Sequence, residues 1–136
     1  MIVYHTKTAN LEVMKKLSKL NNLEVIEFDF PDHYRNSMLR FMAGFSPIND
    51  VVIFRDADSR LLKRDYDMVN EWLNSNKDIH IIRDHPANGR LYRISAGLWG
   101  VKKNILNKNN IDQEYLKHFS YFENKYRIDE IFLFRY

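Results

Sequence analysis

The sequence predicts an α/β fold in which a mainly parallel, twisted β-sheet is flanked by helices. Short apolar runs that are typical of buried strands alternate along the chain with amphipathic segments of about ten residues. The 136 residues fit a single domain over positions 1–136, and 45% of them are apolar or aromatic, which is enough for one core. Only four glycines and three prolines occur, so long flexible linkers are not expected.

The pattern of the first half of the chain predicts two strand–helix units. Residues 2–4 are a short apolar run that predicts a strand, and leucine or methionine recurs at three-residue steps over 11–20, which predicts an amphipathic helix. Residues 23–28 follow an Asn-Asn turn and predict a second strand. Apolar residues over 34–45 predict a second helix, which ends before Pro47 because proline disfavours continuation.

The second half begins with the most strand-like run of the chain, the β-branched and apolar residues 51–54. Apolar residues over 68–73 then lie on one side of a predicted helix. Residues 79–82 and 94–101 predict two more strands, and the stripe over 115–122 predicts a last helix. Strands that alternate with helices indicate βαβ units and a parallel sheet, whose ligands bind beyond the carboxyl ends of the strands.

Composition and charge exclude several classes of function. The net charge is only +3 and no long run of like charges occurs, so no nucleic-acid partner is expected. The chain has no cysteine, which excludes disulfides, thiolate zinc sites and a cysteine nucleophile. No apolar stretch approaches the roughly 18–20 residues that span a bilayer. The first residues lack the pattern of a signal peptide, so we expect a soluble, cytoplasmic protein.

The sharpest feature is the pair of carboxylates, Asp56 and Asp58, that follows the strand at 51–54. In an extended segment these side chains point to the same side, with their α-carbons about 7 Å apart. Two such carboxylates repel by about 4 kcal/mol at an effective dielectric constant of 20, and a divalent cation reverses that interaction. Oxygen-only ligands favour Mg²⁺ or Mn²⁺. The alternative interpretation is that both aspartates merely form the turn that ends the strand.

Four segments in order resemble one group of metal-dependent glycosyltransferases with the nucleotide-diphospho-sugar transferase fold, the GT-A type. FRDADSRL at 54–61, with EWL at 71–73, resembles the group's F/S-R-D-x-D-S-R-L motif and the helix that follows it. KDIHIIRDHP at 77–86 resembles K-D-x-H-I-x-R-D-H-P, and AGLWG at 96–100 resembles G-G-M-W-G. DQEYL at 112–116 resembles the D-Q-x-x-L that opens a late helix. The resemblance covers roughly residues 36–120.

The resemblance implies a hexosyltransferase that transfers a sugar from a UDP- or GDP-sugar to a glycan or glycoprotein acceptor. Asp58 would bind Mn²⁺ or Mg²⁺ directly, and Asp56 would bind it through water or hold the donor ribose. The diphosphate would meet Arg40 and Arg55, because guanidinium groups form paired, charge-assisted hydrogen bonds with phosphates.

The remaining site residues implied by the resemblance contact the sugars. Gly97 would let the backbone approach the donor sugar, and Trp99 would offer its ring as an apolar platform, although a tryptophan is more often part of the core. Asp84 would bind sugar hydroxyls, and His85 would stand on the acceptor side or have a structural role. Asp112 would contact the transferred sugar or act as a base, with the N-cap of its helix as the alternative.

Members of this fold are usually longer and often carry a third metal ligand, commonly histidine, near their end. The resemblance therefore implies an abbreviated member, whose site an oligomer or a partner chain would complete. A catalytically inactive module that binds nucleotide, sugar or a partner enzyme is the alternative. A third alternative, a phosphatase of the haloacid dehalogenase type, fits its D-x-D-x-T/V motif poorly, because Arg60 stands at the threonine or valine position.

Overall fold

Strands and helices follow one another along the chain in the computed structural model. The structure describes residues 1–29, 31, 33–84, 94–108, 110–111, 113–115, 117 and 126–134. In chain order, its elements are strand β1 (Ile2–Thr6), helix α1 (Leu11–Leu17), strand β2 (Glu24–Phe28), a 3-10 helix (Tyr34–Phe41), helix α2 (Met42–Phe45), strand β3 (Val51–Arg55), helix α3 (Lys63–Leu73), strands β4 (Ile79–Ile81) and β5 (Leu98–Lys102), and helices α4 (Ile105–Lys108) and α5 (Ile128–Phe134). The predicted α/β class is confirmed.

The strands form two sheets within the described part of the chain. Strands β1 and β2 pair in parallel, with Ile2 opposite Glu24 and Thr6 opposite Phe28. In the larger sheet, β5 lies between β3 and β4 and is antiparallel to both. The prediction of a mainly parallel sheet is therefore wrong for the larger sheet. Antiparallel neighbours such as β4 and β5 can be joined without the crossover helix that parallel strands need.

One face of the larger sheet builds the core. Phe54 from β3 and Trp99 from β5 are opposite each other in register, and their rings stack with centroids 4.3 Å apart. Phe41 of the 3-10 helix contacts both rings edge-on and stacks on Phe132 of α5 at 5.9 Å. Because the residues of a strand alternate between its two faces, this core is reached by every second residue of β3 and β5.

The other face of the larger sheet packs against α3. Trp72 of this helix stacks on His80 of β4, with ring centroids 5.3 Å apart. The indole also covers Gly100, where an added Cβ would lie 3.2 Å from the ring and 3.0 Å from the carbonyl oxygen of Val52. The Trp72 Nε1 donates a hydrogen bond to the carbonyl oxygen of Lys77, which ties the end of α3 to the approach of β4.

Two predicted helices differ in detail from those observed. The predicted helix over 34–45 is a 3-10 helix as far as Phe41, and in it Tyr34 is exposed while Met38 and Leu39 are buried. Helix α3 begins at Lys63, earlier than its apolar stripe, because Asp65 accepts a hydrogen bond from the backbone of Leu62.

The predicted last helix is described only in part. Residues 111, 113–115 and 117 are helical, and the rest of the stripe over 115–122 lies outside the described residues. Helix α5 was not predicted from the sequence. No helix in the part of the chain that the structure describes is long and apolar enough to cross a membrane.

Candidate functional site

The carboxylate of Asp56 lies directly against the backbone of Gly97. Strand β3 ends at Arg55 and β5 begins at Leu98, and these two residues are opposite each other in register. Asp56 and Gly97 are therefore neighbours at the same edge of the sheet. An added Cβ on Gly97 would overlap the carboxylate group, with even the farther oxygen only 2.9 Å away. Glycine at this position leaves the space that Asp56 occupies.

Arg40 of the 3-10 helix fixes the same carboxylate from the other side. Its Nη1 lies 2.6 Å from Oδ1 of Asp56, and its Nη2 lies 3.8 Å from Oδ2 of Asp129. Its Nε donates a hydrogen bond to the carbonyl oxygen of Ser37, one helical turn earlier. Three anchors orient the guanidinium, which links the end of β3 to the beginning of α5.

Asp129 is a carboxylate with only 7% of its surface exposed. It lies in the first turn of α5, where its Oδ1 accepts a hydrogen bond from the backbone N–H of Glu130. Burying an unpaired charged group costs roughly several kcal/mol. Arg40 is the cation that faces the Asp129 carboxylate. The position of Asp129 thus depends on the same guanidinium that holds Asp56.

Glu130 faces the same space with a carboxyl group that is harder to ionise. Burial raises the pKa of Glu130, and the nearby charges of Asp129 and Asp56 raise it further, while Arg127 partly opposes the shift. The Ser95 hydroxyl donates a long hydrogen bond of 3.4 Å to its Oε1, and Arg127 Nε lies 3.1 Å from its Oε2. A raised pKa makes the ionised carboxylate a stronger base than that of an exposed glutamate.

These side chains surround a small cleft, which we call the acidic cleft. Its volume is about 230 Å³. Three carboxyl groups, one guanidinium, two tyrosine rings, two hydroxyls and the backbone before β5 line it, from Tyr34, Ser37, Asp56, Ser95, Ala96, Gly97, Tyr126, Arg127, Asp129 and Glu130. Oxygen acceptors beside aromatic rings suit a polyhydroxylated ligand better than an apolar one.

A larger cavity of about 610 Å³ opens at the carboxyl end of β1, and we call it the β1 cavity. Aromatic, imidazole and hydroxyl side chains line it, from Tyr4, His5, Thr6, Thr8, Ala9, His33, Tyr34, Asn36 and Leu39. Its volume falls within the roughly 300–1,000 Å³ of ligand pockets. Tyr34 lines both spaces, so the β1 cavity and the acidic cleft meet at this ring.

Five of the predicted site residues that the structure describes line neither space: Arg40, Arg55, Asp58, Asp84 and Trp99. Arg55 turns toward α3, where its Nη2 lies 3.7 Å from Asp65, and burial lowers the pKa of its guanidinium. Asp84 is paired with Arg64, also of α3. Asp58 is exposed and makes no hydrogen bond or ion pair with any other described residue.

The structure corrects the role suggested for Trp99. Its side chain is only 2% exposed and stacks on Phe54 within the core, so its ring offers no surface to a sugar. The aromatic surface beside the acidic cleft comes from Tyr34 and Tyr126 instead. The alternation of β5 explains this result, because Trp99 and Val101 point to the core face while Gly100 meets α3.

Two residues of the acidic cleft were missed in the sequence. The predictions for His85 and Asp112 fall outside the described residues, whereas Asp129 and Glu130 are in the cleft. The signal for them was present: DEIFL at 129–133 has the D-x-x-x-L spacing of the late-helix motif, with glutamate in the place of glutamine. This segment opens α5, as the motif would.

The D-x-D motif assigns a divalent cation to Asp56 and Asp58, of which only Asp56 lines the acidic cleft. Both carboxylates follow β3, and Asp58 has no cation beside it among the described residues. Those residues contain no group of three or more histidine or acidic side chains placed to hold a metal, so two carboxylates would need further oxygens from a ligand.

The chain matches no family model, no curated protein and no solved structure.

Proposed function

We propose that this chain is a metal-dependent glycosyltransferase that transfers a hexose from a UDP- or GDP-sugar to a saccharide or protein-linked acceptor. The observation that carries the proposal is the position of the Asp56 carboxylate and its contacts. Its carboxylate follows β3, rests on Gly97 and is held by Arg40, in a cleft shared with Asp129 and Glu130. The GT-A type of fold remains part of the proposal, supported by the sequence motifs at 54–61 and 96–100.

The β1 cavity would take the nucleoside of the donor. Its position at the carboxyl end of a parallel strand is where ligands of α/β sheets bind. His33 and Asn36 line this cavity together with Thr6 and Thr8. Imidazole, amide and hydroxyl groups can donate and accept hydrogen bonds, as the binding of a nucleobase and a ribose requires.

The acidic cleft would bind the sugar of the donor, together with the bond between its anomeric carbon and the diphosphate. Asp56 and Asp58 would hold Mn²⁺ or Mg²⁺, which when bound neutralises the diphosphate of the donor. Arg40, which is paired with Asp56, would supply a further positive charge to the diphosphate. The roles suggested for Asp84, His85 and Asp112 stay predictions.

Glu130 is our choice for the group that activates the acceptor. An acceptor hydroxyl oxygen forms a bond to the anomeric carbon, while the bond from that carbon to the diphosphate oxygen breaks. The hydroxyl proton passes to the Glu130 carboxylate, and the nucleoside diphosphate leaves. Burial raises the pKa of Glu130, which makes its carboxylate a stronger proton acceptor for this transfer than an exposed glutamate.

A second candidate is a binding module of the same fold that has no transferase activity. The observation that favours it is the ion pair between Arg40 and Asp56, which already supplies a cation to the carboxylate that would bind the metal. Such a module would bind a nucleotide or a sugar alone, or act on a partner enzyme.

Calorimetric titration with UDP and with GDP, each with and without Mn²⁺, tests the proposal. We expect one nucleotide to bind at least about tenfold more tightly with Mn²⁺. Asp58→Ala should remove that metal dependence. Asp67→Ala is the matched control, because Asp67 is an exposed aspartate on α3 that pairs only with Lys63 among the described residues.

Two outcomes decide against the proposal. If neither nucleotide binds, or if Asp58→Ala keeps the full response to Mn²⁺, the metal-dependent donor site is contradicted. If a nucleotide binds but the chain neither hydrolyses nor transfers the sugar of the corresponding nucleotide sugar, the binding module is the correct interpretation.

A further inference from the structure

Two exposed tyrosines form one edge of the acidic cleft. Tyr34 is 57% exposed and Tyr126 is 67% exposed, and their rings meet edge to face with centroids 5.6 Å apart. Arg127 lies over the Tyr126 ring at 5.7 Å. Large aromatic side chains exposed side by side at a polar cleft are a binding feature more often than a folding one, because solvent exposure gives them no packing energy.

The backbone beside the pair is also held in an uncommon conformation. Arg127 has a φ of 63°, in the left-handed region, which costs a residue with a side chain about 1–2 kcal/mol. This turn comes directly before α5, and the residues on both sides of it, Tyr126 and Glu130, line the acidic cleft. Backbone strain of this kind is found most often at functional sites.

We infer that the Tyr34–Tyr126 pair is the acceptor subsite and that the acceptor is a saccharide, with a pyranose ring lying on the Tyr126 ring. The inference rests on the proposed transferase function. A pyranose has an apolar face of C–H bonds, which packs well on an aromatic ring. The hydroxyls at its rim donate hydrogen bonds to carboxylates. Both partners are present here, because the aromatic edge adjoins the Glu130 carboxyl group and the Ser95 hydroxyl.

The size of the acidic cleft and its place in the molecule support this choice. At about 230 Å³ it lies below the roughly 300 Å³ at which pockets for drug-sized ligands begin, which suits single rings rather than a whole nucleotide sugar. The nucleoside of the donor has the β1 cavity, which is also lined by Tyr34. A ring on Tyr126 would therefore bring one hydroxyl toward Glu130 while the donor sugar lies at Asp56 and Gly97.

Saturation-transfer NMR on the full chain tests the subsite with defined probes. The probes are methyl β-D-glucopyranoside, methyl β-D-galactopyranoside and methyl α-D-mannopyranoside, titrated without nucleotide. We expect at least one of them to receive saturation mainly at the C–H bonds of one ring face. Tyr126→Ala should weaken its binding about tenfold, and Tyr126→Phe should retain it within about twofold, because the ring makes the contact.

Tyr66→Ala is the matched control, because Tyr66 is equally exposed at 67% on α3 and lines neither the acidic cleft nor the β1 cavity. It should bind the probe as the unmodified chain does. The inference would be overturned if the unmodified chain bound no pyranoside. It would also be overturned if the Tyr126→Ala variant bound the probe normally, or if the Tyr126→Phe variant bound it as weakly as the Tyr126→Ala variant.

Nucleotide titration of the same variants separates the subsite from the transferase itself. If UDP or GDP binds while no pyranoside does, the subsite is wrong and the proposed function stands. If a pyranoside binds through Tyr126 while neither nucleotide binds, the aromatic subsite stands but belongs to a sugar-binding module. Tyr126→Ala should leave nucleotide affinity unchanged, because Tyr126 does not line the β1 cavity.

Discussion

At the scale of single residues, the contact between Asp56 and Gly97 explains why a glycine stands before β5. The carboxylate occupies the space in which any other residue would place its Cβ. Arg40 then draws the carboxylate toward the 3-10 helix with an ion pair of 2.6 Å. One missing side chain just before β5 and one guanidinium from the 3-10 helix therefore set the position of the aspartate on which the proposed function depends.

Gly97→Ala should lower the free energy of unfolding by about 1–3 kcal/mol, because an added methyl group would collide with the Asp56 carboxylate. In an Asp56→Ala background the same substitution should cost less than about 0.5 kcal/mol, since the colliding group is gone. Urea denaturation of the two single variants and the double variant measures this coupling. Equal costs in both backgrounds would show that Gly97 is needed for another reason.

Glu130→Gln should raise the free energy of unfolding at neutral pH relative to the unmodified chain. The pKa of Glu130 is raised above its ordinary 4.5 by burial, so the folded state favours the protonated form. That contribution is complete below pH 4.5 and is lost as the pH rises through the raised pKa. Glutamine does not ionise, so the difference between the two proteins should vanish in acid.

Urea titrations of both proteins from pH 4 to pH 8 check this prediction. A difference in unfolding free energy that stays constant over the whole range would show that Glu130 does not titrate with a raised pKa.

Single residues were predictable from sequence where a motif surrounds them. Asp56 and Gly97 were singled out by the D-x-D pair and the AGLWG segment, and Arg40 by the diphosphate contact that the resemblance implies. The structure brings all three to one place. Asp129 was missed because a buried aspartate in an apolar segment resembles a helix cap until its cation is known. That cation, Arg40, is distant in sequence and adjacent only in the fold.

At the scale of elements, α5 joins the core to the acidic cleft. Phe132 points inward and stacks on Phe41, while Asp129 and Glu130 in the first turn of the same helix face the cleft. Residues three apart lie on neighbouring sides of a helix, so the packing of one fixes the direction of the other. The apolar anchor of α5 is therefore also what positions its carboxyl groups.

Phe132→Ala should lower the free energy of unfolding by about 3–5 kcal/mol, because it leaves a cavity between Phe41 and Tyr115. Phe134→Ala, two residues along the same helix, should change it by less than about 0.5 kcal/mol, since that ring is 52% exposed. Thermal denaturation of both variants makes the comparison. Similar losses in the two would contradict the observed orientation of α5.

The contact between α3 and β4 should make stability depend on pH through His80. Burial lowers the pKa of His80 below 6.5, and the charge of Arg55 lowers it further. Neutral imidazole therefore stabilises the fold above pH 6.5, and this contribution is lost as the pH falls below that value. His80→Phe keeps a ring against Trp72 and should reduce the loss of unfolding free energy between pH 7 and pH 5.

Chemical denaturation at these two pH values, for the unmodified chain and for His80→Phe, gives the two losses to be compared. The same loss in both proteins would mean that another group causes it.

Element types were more predictable than element neighbours. The strands at 51–54 and 79–82 were clear because β-branched and apolar runs favour strands whatever surrounds them. Their pairing was not, because the placement of β5 between β3 and β4 depends on contacts distant in sequence. Local patterns carry no information on strand direction when the connection between strands has no helical period.

At the scale of the whole molecule, the two cavities share one lining residue, Tyr34. Tyr34 belongs to the same 3-10 helix as Arg40. A nucleotide sugar that extends through both spaces would place its diphosphate near the guanidinium. The smaller parallel sheet supplies the first space, and the antiparallel sheet with α5 supplies the second.

The most direct test of the account is to detect the transferred sugar by mass spectrometry. The full chain would be incubated with Mn²⁺, a panel of UDP- and GDP-hexoses, and the three methyl pyranosides. We predict a product one hexose heavier than one pyranoside, formed with release of the nucleoside diphosphate. Asp56→Asn should reduce it by at least about 100-fold, a barrier change of ~2.7 kcal/mol, while Asp67→Asn forms it normally. Consumption of no nucleotide sugar, or an Asp56→Asn variant as active as the unmodified chain, would contradict the account.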